Sequence, residues 1–389
     1  MDNHYHLLIE IPLANLNQLM QNINIKRARE NAGWSIEEIA SKLKTSIENY
    51  KRIESGIKKP TYRQLELLSK YFKRPLSVFF LPKPPYEEPI ASSFRVLPKS
   101  ENLYSKGFRL ALRKSRYYQS VARELMNAMG YDVSSPINKY SLSDSPKTAA
   151  QKERENAGIS IEKQLKWENA YEAFNNWRKI EENILIFQFK FPLKDARGFC
   201  LMGSPPIIVI NSSDNILARI FTLFHEYAHV LLGISEIYTE EIIIITDRKI
   251  EEWCDSFAAE FLIPSNVVKE DPDFQILIQL KENVLEILEE LSRKYKVSKK
   301  AILVRLKTLN LISHKQYETF IQAIEEKSTE EKRTFFLSPE KRCIQEKGEK
   351  FIFTVLEGKE KGIITTHEAI EYLSIKLKYI DKIQKLLIT

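Results

Sequence analysis

Hydrophobic positions recur with helical spacing through most of the chain, and strand-like runs are confined to its middle. Between residues 24 and 82 the pattern predicts four short helices, Ile25–Asn31, Ser35–Leu43, Ser46–Ser55 and Arg63–Phe72. Ser35 and Glu38 have the spacing of a capping box, and Thr45 or Ser46 is placed to cap the third helix. The very short turn between the second and third helices is typical of a helix-turn-helix.

The middle of the chain alternates strand-like and helical patterns. A strand is predicted at Ile184–Phe191, and Gly198–Met202 with Pro206–Ile210 predicts a hairpin around a Gly-Ser-Pro turn. Residues Asn211–Asp214 offer N-caps for the next helix, Ile216–Leu232, which is apolar on nearly every side and is therefore expected to be buried. A strand directly before such a helix could hold an extended peptide by strand addition.

Longer helical patterns surround this central stretch. They are predicted at Lys106–Met129, Ile161–Lys179, Leu280–Tyr295, Ser298–Leu309 and Lys350–Leu387. The third and fourth of these have helix-turn-helix spacing, and packing beside the central region is favoured over a second DNA-reading role. The proline-rich run Pro82–Pro89 predicts a stiff, extended linker.

Composition narrows the class of protein. The 389 residues allow two or three domains, and 29% charged with 43% hydrophobic residues is ordinary for a soluble protein. No apolar run has membrane length and no signal peptide opens the chain, so we expect a cytoplasmic protein without a membrane partner. Three widely spaced cysteines, Cys200, Cys254 and Cys343, argue against a disulfide framework and against a cysteine zinc cluster.

The positive charge is concentrated in one segment. Residues 24–82 hold 13 Lys and Arg against 6 Glu, which accounts for the whole net charge of +7. A compact segment with this excess is typical of a nucleic-acid-binding module, although a solvated basic surface would look the same.

The buried helix carries a candidate catalytic motif. His225, Glu226 and His229 read His-Glu-x-x-His, which places the two histidines one turn apart on the same helical face. Neutral imidazoles at this spacing can chelate a tetrahedral metal, and burying them would otherwise be costly. Glu226 is rotated by about 100° from His225, where it can act as a base toward a metal-activated water.

A third metal ligand is expected in the segment Ile250–Pro264. Glu251 and Asp255 lie four residues apart on one helical face, so that one can bind the metal while the other orients a ligand histidine. Glu252 is the alternative third ligand.

This segment and the motif helix together resemble the ImmA/IrrE family of zinc metallo-endopeptidases. The resemblance covers roughly residues 95–310 and is strongest from Gly198 to Pro264. Its second-helix pattern is matched by Glu251, Asp255, Phe257, Ala258, Ala259, Leu262 and Pro264. The resemblance implies one zinc ion per chain, with His225, His229 and Glu251 as ligands and Glu226 as general base.

The basic segment resembles the XRE/lambda-repressor family of helix-turn-helix domains. The resemblance is carried by Arg52-Ile53-Glu54-Ser55-Gly56, Lys59-Pro60 and Leu65-Glu66-Leu67-Leu68. It implies that Ile47, Glu48, Asn49 and Arg52 enter the major groove of DNA and that Lys51, Lys58 and Lys59 face phosphates. Two positions depart from the family: Lys44 replaces the usual turn glycine, and Ile36 stands where a polar side chain is common.

The first two dozen residues resemble a fragment of the REP-associated tyrosine transposases. In that family a strand carries a metal-binding histidine pair, here matched by His4 and His6, beside a nucleophilic tyrosine. No matching tyrosine segment follows, so we interpret this piece as an inactive remnant.

These features predict an α+β, mostly helical protein of five parts. They are a remnant at 1–23, a helix-turn-helix domain at 24–82, a linker at 83–94, a minimal zincin-like metallopeptidase domain with a small sheet at 95–264, and a helical C-terminal region at 265–389. The two resemblances imply a DNA-binding regulator with a gluzincin-like zinc endopeptidase that cleaves a protein such as a transcriptional repressor. The alternative is a non-proteolytic regulator or antitoxin-like protein in which zinc is structural or sensory. The substrate, the operator and the oligomeric state are not predicted.

Overall fold

The computed structural model describes residues 23–81, 104–132, 139–180, 184–234, 237–238, 245–279, 283–327 and 337–388. The chain is mostly helical with one small sheet, as predicted. It divides into two compact units, residues 1–93 with 97–113 and residues 94–96 with 114–389. The remnant, apart from Ile23, and the linker lie outside the described residues, so the five-part division stays a prediction. None of the helices in the ranges above is long and apolar enough to cross a membrane.

Among the described residues, four helices lie wholly within the first unit. They are α1 (Ile23–Asn31), α2 (Ile36–Lys42), α3 (Ile47–Glu54) and α4 (Tyr62–Phe72), followed by a 3-10 turn at Leu76–Phe80. The Ser35–Glu38 capping box forms at the start of α2, and Ser46 rather than Thr45 caps α3. Their apolar faces meet in a core that includes Ile39, Tyr50 and Leu68. The predicted helix-turn-helix pair is therefore α2 and α3.

The two departures from the family pattern have structural accounts in this unit. Lys44, in the turn between α2 and α3, has a φ of 53°, which is the left-handed region that favours glycine. Lysine is tolerated there at a cost of roughly 1 kcal/mol. Ile36 is half-buried against the core of the unit, so its side chain contributes packing in place of a polar contact.

The second unit contains the sheet and the remaining helices. The strands are β1 (Leu185–Phe189), β2 (Gly198–Leu201), β3 (Ile207–Asn211) and β4 (Ile237–Tyr238). The helices are α5 (Lys106–Ala128, whose first eight residues belong to the first unit), α6 (Pro146–Asn156), α7 (Ile161–Leu165), α8 (Ala170–Trp177), α9 (Ile216–Leu231), α10 (Ile245–Leu262), α11 (Ser265–Glu270), α12 (Pro272–Gln279), α13 (Val284–Tyr295), α14 (Lys299–Thr308), α15 (His314–Lys327), α16 (Pro339–Glu360), α17 (Thr366–Leu373) and α18 (Ile380–Ile388).

The sheet has the order β1-β3-β2-β4. β1 and β3 are parallel, whereas β2 is antiparallel to β3 and to β4. The predicted hairpin of β2 and β3 is thus confirmed. The expectation that β3 could accept an extended peptide is wrong, because both of its edges are already paired within the sheet.

Helix α9 is buried between the sheet and α10. Aromatic side chains pack α9 against α10 and α8. The ring centroids of Phe224 and Phe261 stack at 4.2 Å, and Trp177 meets Phe224 edge-on with a centroid distance of 5.0 Å. These rings are almost entirely buried. Large buried aromatic clusters of this kind fix the relative positions of the helices that carry them. The facing sides of α9 and α10 are therefore held in a defined register.

Three predicted boundaries are wrong for local reasons. The helix expected over Ile161–Lys179 is two helices, because Asn169 breaks the run and caps α8 with its side chain. The N-cap of α9 is Asn215, one residue beyond the candidates Asn211–Asp214. The last helical stretch is divided among α16, α17 and α18.

Helix α16 covers the outer edge of β1. Gly348 within it has a φ of 74° and non-helical backbone, so the helix kinks there. A side chain at Gly348 would place its Cβ 2.8 Å from the Ile186 carbonyl oxygen, which explains the glycine. The Gln188 side-chain amide donates to the Gln345 carbonyl at 2.9 Å, and the Arg178 guanidinium donates to the carbonyls of Gln345 and Ile186. The Ile186 carbonyl and the Gln188 side chain, two polar groups of this strand, are thereby engaged.

Candidate functional site

The motif helix places its three polar residues deep in the second unit. His225, Glu226 and His229 are completely buried on α9, and most of the other side chains of that helix are buried as well. Helical geometry sets His225 and His229 one turn apart, and their Nε2 atoms lie 3.2 Å from each other. Two buried imidazole nitrogens directed at one point need a proton or a cation between them.

Helix α10 brings a carboxylate to the same point. Glu251 places Oε2 3.1 Å from Nε2 of His225 and Oε1 3.3 Å from Nε2 of His229. Among the residues that the structure describes, these three form the group that could hold a metal ion. Their nitrogen and oxygen donors are a donor set that zinc accepts.

Asp255 fixes the orientation of one of the histidines. Its Oδ1 lies 2.9 Å from Nδ1 of His225. Because an ionised carboxylate only accepts hydrogen bonds, this contact places the imidazole proton on Nδ1 and leaves the lone pair of Nε2 facing Glu251 and His229. Nε2 is thus available as a metal ligand. The donor set therefore fits a divalent cation, and Asp255 has the orienting position that its spacing from Glu251 predicts.

The electrostatics of the cluster also suit a cation. Burial disfavours the charged form of His225, but Glu251 and Asp255 outweigh it and hold the imidazole pKa well above its ordinary value. At His229 burial prevails and lowers the pKa. Burial also opposes ionisation of Glu251, yet the two facing histidines hold the pKa of its carboxyl group below its usual range. A bound cation would take the place of the proton that these three groups otherwise share.

The alternative third ligand lies away from the cluster. The side chain of Glu252 is 63% exposed, and its Oε1 accepts from Nε of Arg248 at 2.8 Å. Adjacent helical residues point about 100° apart, so Glu252 faces outward when Glu251 faces the histidines. The geometry thus brings Glu251 and not Glu252 to the cluster.

The residues predicted to contact DNA lie on the surface of the first unit. Ile47 is 43% exposed at the start of α3. Glu48, Lys51 and Arg52 are also exposed, and Asn49 is half-buried, with its Oδ1 at 3.5 Å from Nζ of Lys58. Lys58 and Lys59 are exposed in the loop after α3. The second helix of the motif thus presents these side chains outward, as a DNA-reading helix requires.

Two family models match the chain. One describes a helix-turn-helix and matches residues 25–79; the other describes the IrrE N-terminal-like domain of the M78 peptidase family and matches residues 181–307. No curated protein and no solved structure matches the chain. The chain joins a helix-turn-helix domain to an IrrE-like domain. The resemblances to the helix-turn-helix and ImmA/IrrE families are confirmed, whereas the one of the first two dozen residues to a transposase stays a prediction. The IrrE-like match contains every residue of the candidate metal cluster.

One residue beside the cluster of the IrrE-like domain was not found from the sequence. Gly198, the first residue of β2, lies so close to α9 that an added Cβ would be 2.6 Å from Cγ2 of Thr222 and 3.3 Å from Oε1 of Glu226. A single glycine at the start of a strand gives no signal of such proximity. Its role is to let the sheet approach the helix at Glu226.

We expect Gly198→Ala to destabilise the protein. The methyl group would also lie 3.0 Å from the Val209 carbonyl oxygen, and neither that backbone nor the buried helix can move freely. Overpacking of this kind costs roughly 1–3 kcal/mol. Thermal unfolding followed by circular dichroism measures the effect. Gly358→Ala, within helix α16, is the matched control. Its added Cβ would meet the flexible side chain of Leu125 at 3.1 Å. Equal melting temperatures for the two variants would contradict the close approach.

Proposed function

We propose that the chain is a DNA-binding regulator whose IrrE-like domain is a zinc-dependent endopeptidase. The observation that carries the proposal is the convergence of His225, His229 and Glu251 beside Glu226. Structural zinc sites are usually closed by four protein ligands, whereas the described part of the chain offers three here. Three ligands with a neighbouring carboxylate favour a catalytic site over a structural one.

In this proposal each residue has a separate task. His225, His229 and Glu251 would hold zinc, which supplies a Lewis acid for the scissile carbonyl and lowers the pKa of water. Glu226 takes a proton from the attacking water and returns it to the leaving amine. Asp255 keeps the proton of His225 on Nδ1, so that Nε2 remains a donor.

The sheet suggests where an extended substrate would lie. Glu226 is next to the start of β2, and β2 is followed in the sheet by the short strand β4. The opposite edge, along β1, is covered by α16. We therefore propose that a peptide approaches from the β4 side, where its backbone can pair with the edge strand β4.

The substrate that we propose is a protein, such as a transcriptional repressor, and the test is direct. Purified full-length protein is analysed for zinc and then incubated with candidate repressors from the same genome, with and without a chelator. Fragments that appear only in the absence of chelator support the endopeptidase. Stoichiometric zinc with no cleavage of any candidate or of an unfolded test protein would favour the non-proteolytic regulator.

For the helix-turn-helix domain we propose binding to duplex DNA, and Arg52→Ala tests it. The exposed Arg52 side chain on α3 is expected to contribute a base contact, which is worth roughly 1–3 kcal/mol of discrimination. Affinity for sites selected from a random duplex library should fall about tenfold or more, with a smaller loss on unselected DNA. Fluorescence anisotropy at several salt concentrations measures both.

Lys70→Ala removes the same charge from an exposed position on α4 and is the control. This substitution should weaken binding to selected and to unselected DNA to the same modest extent. Binding that does not depend on salt, or no binding to any duplex, would argue instead that the domain contacts a protein.

A further inference from the structure

The outward face of helix α3 carries one apolar side chain among charged ones. Four side chains of the helix share this face and are exposed: Ile47, Glu48, Lys51 and Arg52. The inward face carries Tyr50 and Ile53, which are fully buried in the core of the first unit. Ile47 is 43% exposed and does not belong to that core. Packing of the unit therefore does not explain the apolar residue at this position.

The first turn of α3 leaves two side chains free to contact another molecule. Ser46 is occupied as the N-cap, because its Oγ accepts from the backbone amide of Asn49 at 3.2 Å. Glu48 and Arg52 lie one turn apart, a spacing at which opposite charges can pair. Among the described residues, no ion pair joins them to each other or to a third side chain. Ile47 and Glu48 are thus the available side chains of this turn.

Neither of these two side chains suits the phosphate backbone of DNA. The carboxylate of Glu48 is repelled by phosphates, and the hydrocarbon side chain of Ile47 offers them no hydrogen bond. The cations that do suit phosphates, Lys51 and Arg52, follow in the next turn. In a helix-turn-helix it is the N-terminal part of the second helix that reaches the base edges. The chemistry of the first turn matches base edges and not phosphates.

The apolar side chain of Ile47 has one matching group in the major groove. The four base pairs display hydrogen-bond donors and acceptors there, and the 5-methyl group of thymine is the apolar exception. A donor or acceptor covered by an isoleucine side chain loses its water without gaining a partner, which is costly. An isoleucine at this place therefore favours thymine over the other bases.

A protein partner is the other class of molecule that an exposed isoleucine can contact. The centre of a protein interface is apolar and depleted of charged residues. Ile47 is instead surrounded in sequence and on its helical face by the exposed side chains of Lys44, Glu48 and Lys51. Residues 24–82 also carry the whole net positive charge of the chain. These surroundings favour DNA as the partner of Ile47.

We propose that Ile47 selects thymine at one position of the DNA site, through van der Waals contact with the 5-methyl group. The inference rests on the proposed DNA binding of the helix-turn-helix domain and names a base that the domain reads. Ile47 is then a specificity-determining residue that contributes no hydrogen bond and no charge.

Replacement of thymine by deoxyuridine tests the contact, because it removes the methyl group and leaves the pairing with adenine unchanged. The full-length protein first selects its site from a random duplex library, and each thymine of that site is then replaced in turn. We expect a thymine at which the replacement weakens binding about three- to tenfold, the effect of leaving one methyl group without its apolar contact. Fluorescence anisotropy measures the dissociation constants.

Ile47→Ala connects the methyl group to its partner on the protein. This variant should bind the thymine duplex more weakly by a similar factor and should no longer respond to deoxyuridine at that position, because the contact is already lost. Ile47→Val keeps a branched apolar side chain and should retain most of the response. The melting temperature of Ile47→Ala should be unchanged or higher, since the residue lies outside the core and alanine favours helices.

Ile57→Ala is the matched control, because it removes the same atoms from a position that is 70% exposed in the loop after α3. It should keep the full response to deoxyuridine. Loss of the response in Ile57→Ala as well would contradict a specific role of Ile47.

The other outcomes separate the inference from the proposed DNA binding. Sequence-selective binding without any sensitive thymine would overturn the role of Ile47 and leave DNA binding intact. An undiminished response in Ile47→Ala would overturn it too, because the methyl group would then act on the shape of the DNA or on another residue. Failure to bind any duplex would refute both the proposed DNA binding and the thymine contact.

Discussion

Glu226→Gln is expected to retain zinc and to lose peptide cleavage by a factor of about 100 to 10,000, the usual contribution of a general base. The amide is nearly the same size as the carboxylate, so the buried position beside Gly198 stays filled. It cannot accept a proton from water. Glu226 is not among the three residues of the metal cluster, so the metal should stay. Zinc per chain by mass spectrometry and the initial rate of cleavage measure the two quantities.

Glu252→Gln provides the matched control, because it makes the same chemical change at an exposed residue on the neighbouring helix. It should cleave at the wild-type rate. Wild-type cleavage by Glu226→Gln would refute the assignment of Glu226 as the base. Loss of zinc from Glu226→Gln would show instead that this side chain is a metal ligand.

The second large effect is expected for Glu251→Ala. Glu251 places its two carboxylate oxygens at 3.1 Å and 3.3 Å from the two histidine nitrogens, so its removal takes away the only anionic ligand in the described cluster. Zinc affinity should fall by several kcal/mol, because metal binding depends on a complete set of deprotonated ligands. Titration against a chromophoric chelator measures the dissociation constant.

Glu252→Ala is the comparison for that variant. Its exposed pair with Arg248 is worth less than about 1 kcal/mol, and it does not face the metal. Zinc should therefore remain near one ion per chain. If the two variants give the opposite order, Glu252 is the ligand, and the orienting role of Asp255 is wrong as well.

The candidate site could be predicted from sequence to the extent that its residues share a helix. His225 and His229 follow from one helical turn, and Glu251 with Asp255 from another. The spacing of Glu251 from Asp255 and the family's second-helix pattern already favoured Glu251 over Glu252. The packing of α10 on α9 then brings Glu251 to the two histidines. The four helices of the first unit were predicted well because their caps, such as the Ser35–Glu38 box, are local.

Features that depend on distant parts of the chain could not be predicted. The pairing of β3 on both edges requires β1, which precedes it by two elements. The hydrogen bonds of Arg178 to the carbonyls of Gln345 and Ile186 join residues far apart in sequence, and Arg178 alone looks like an ordinary surface cation. The break in the helix at Asn169 was also not predicted. The apolar spacing continues through this residue, and its side-chain cap is seen only in the structure.

Because α16 packs over the outer edge of β1, removing this helix by truncation has a consequence for that edge. A strand edge with unpaired backbone groups is a place where two molecules can join their sheets. The residues that engage this edge, around Gln345 and Gly348, lie beyond the stretch matched by the IrrE-like family model. A fragment ending at residue 307 would uncover β1 and offer it to other copies of itself. We therefore expect the C-terminal helices to protect the IrrE-like domain against self-association.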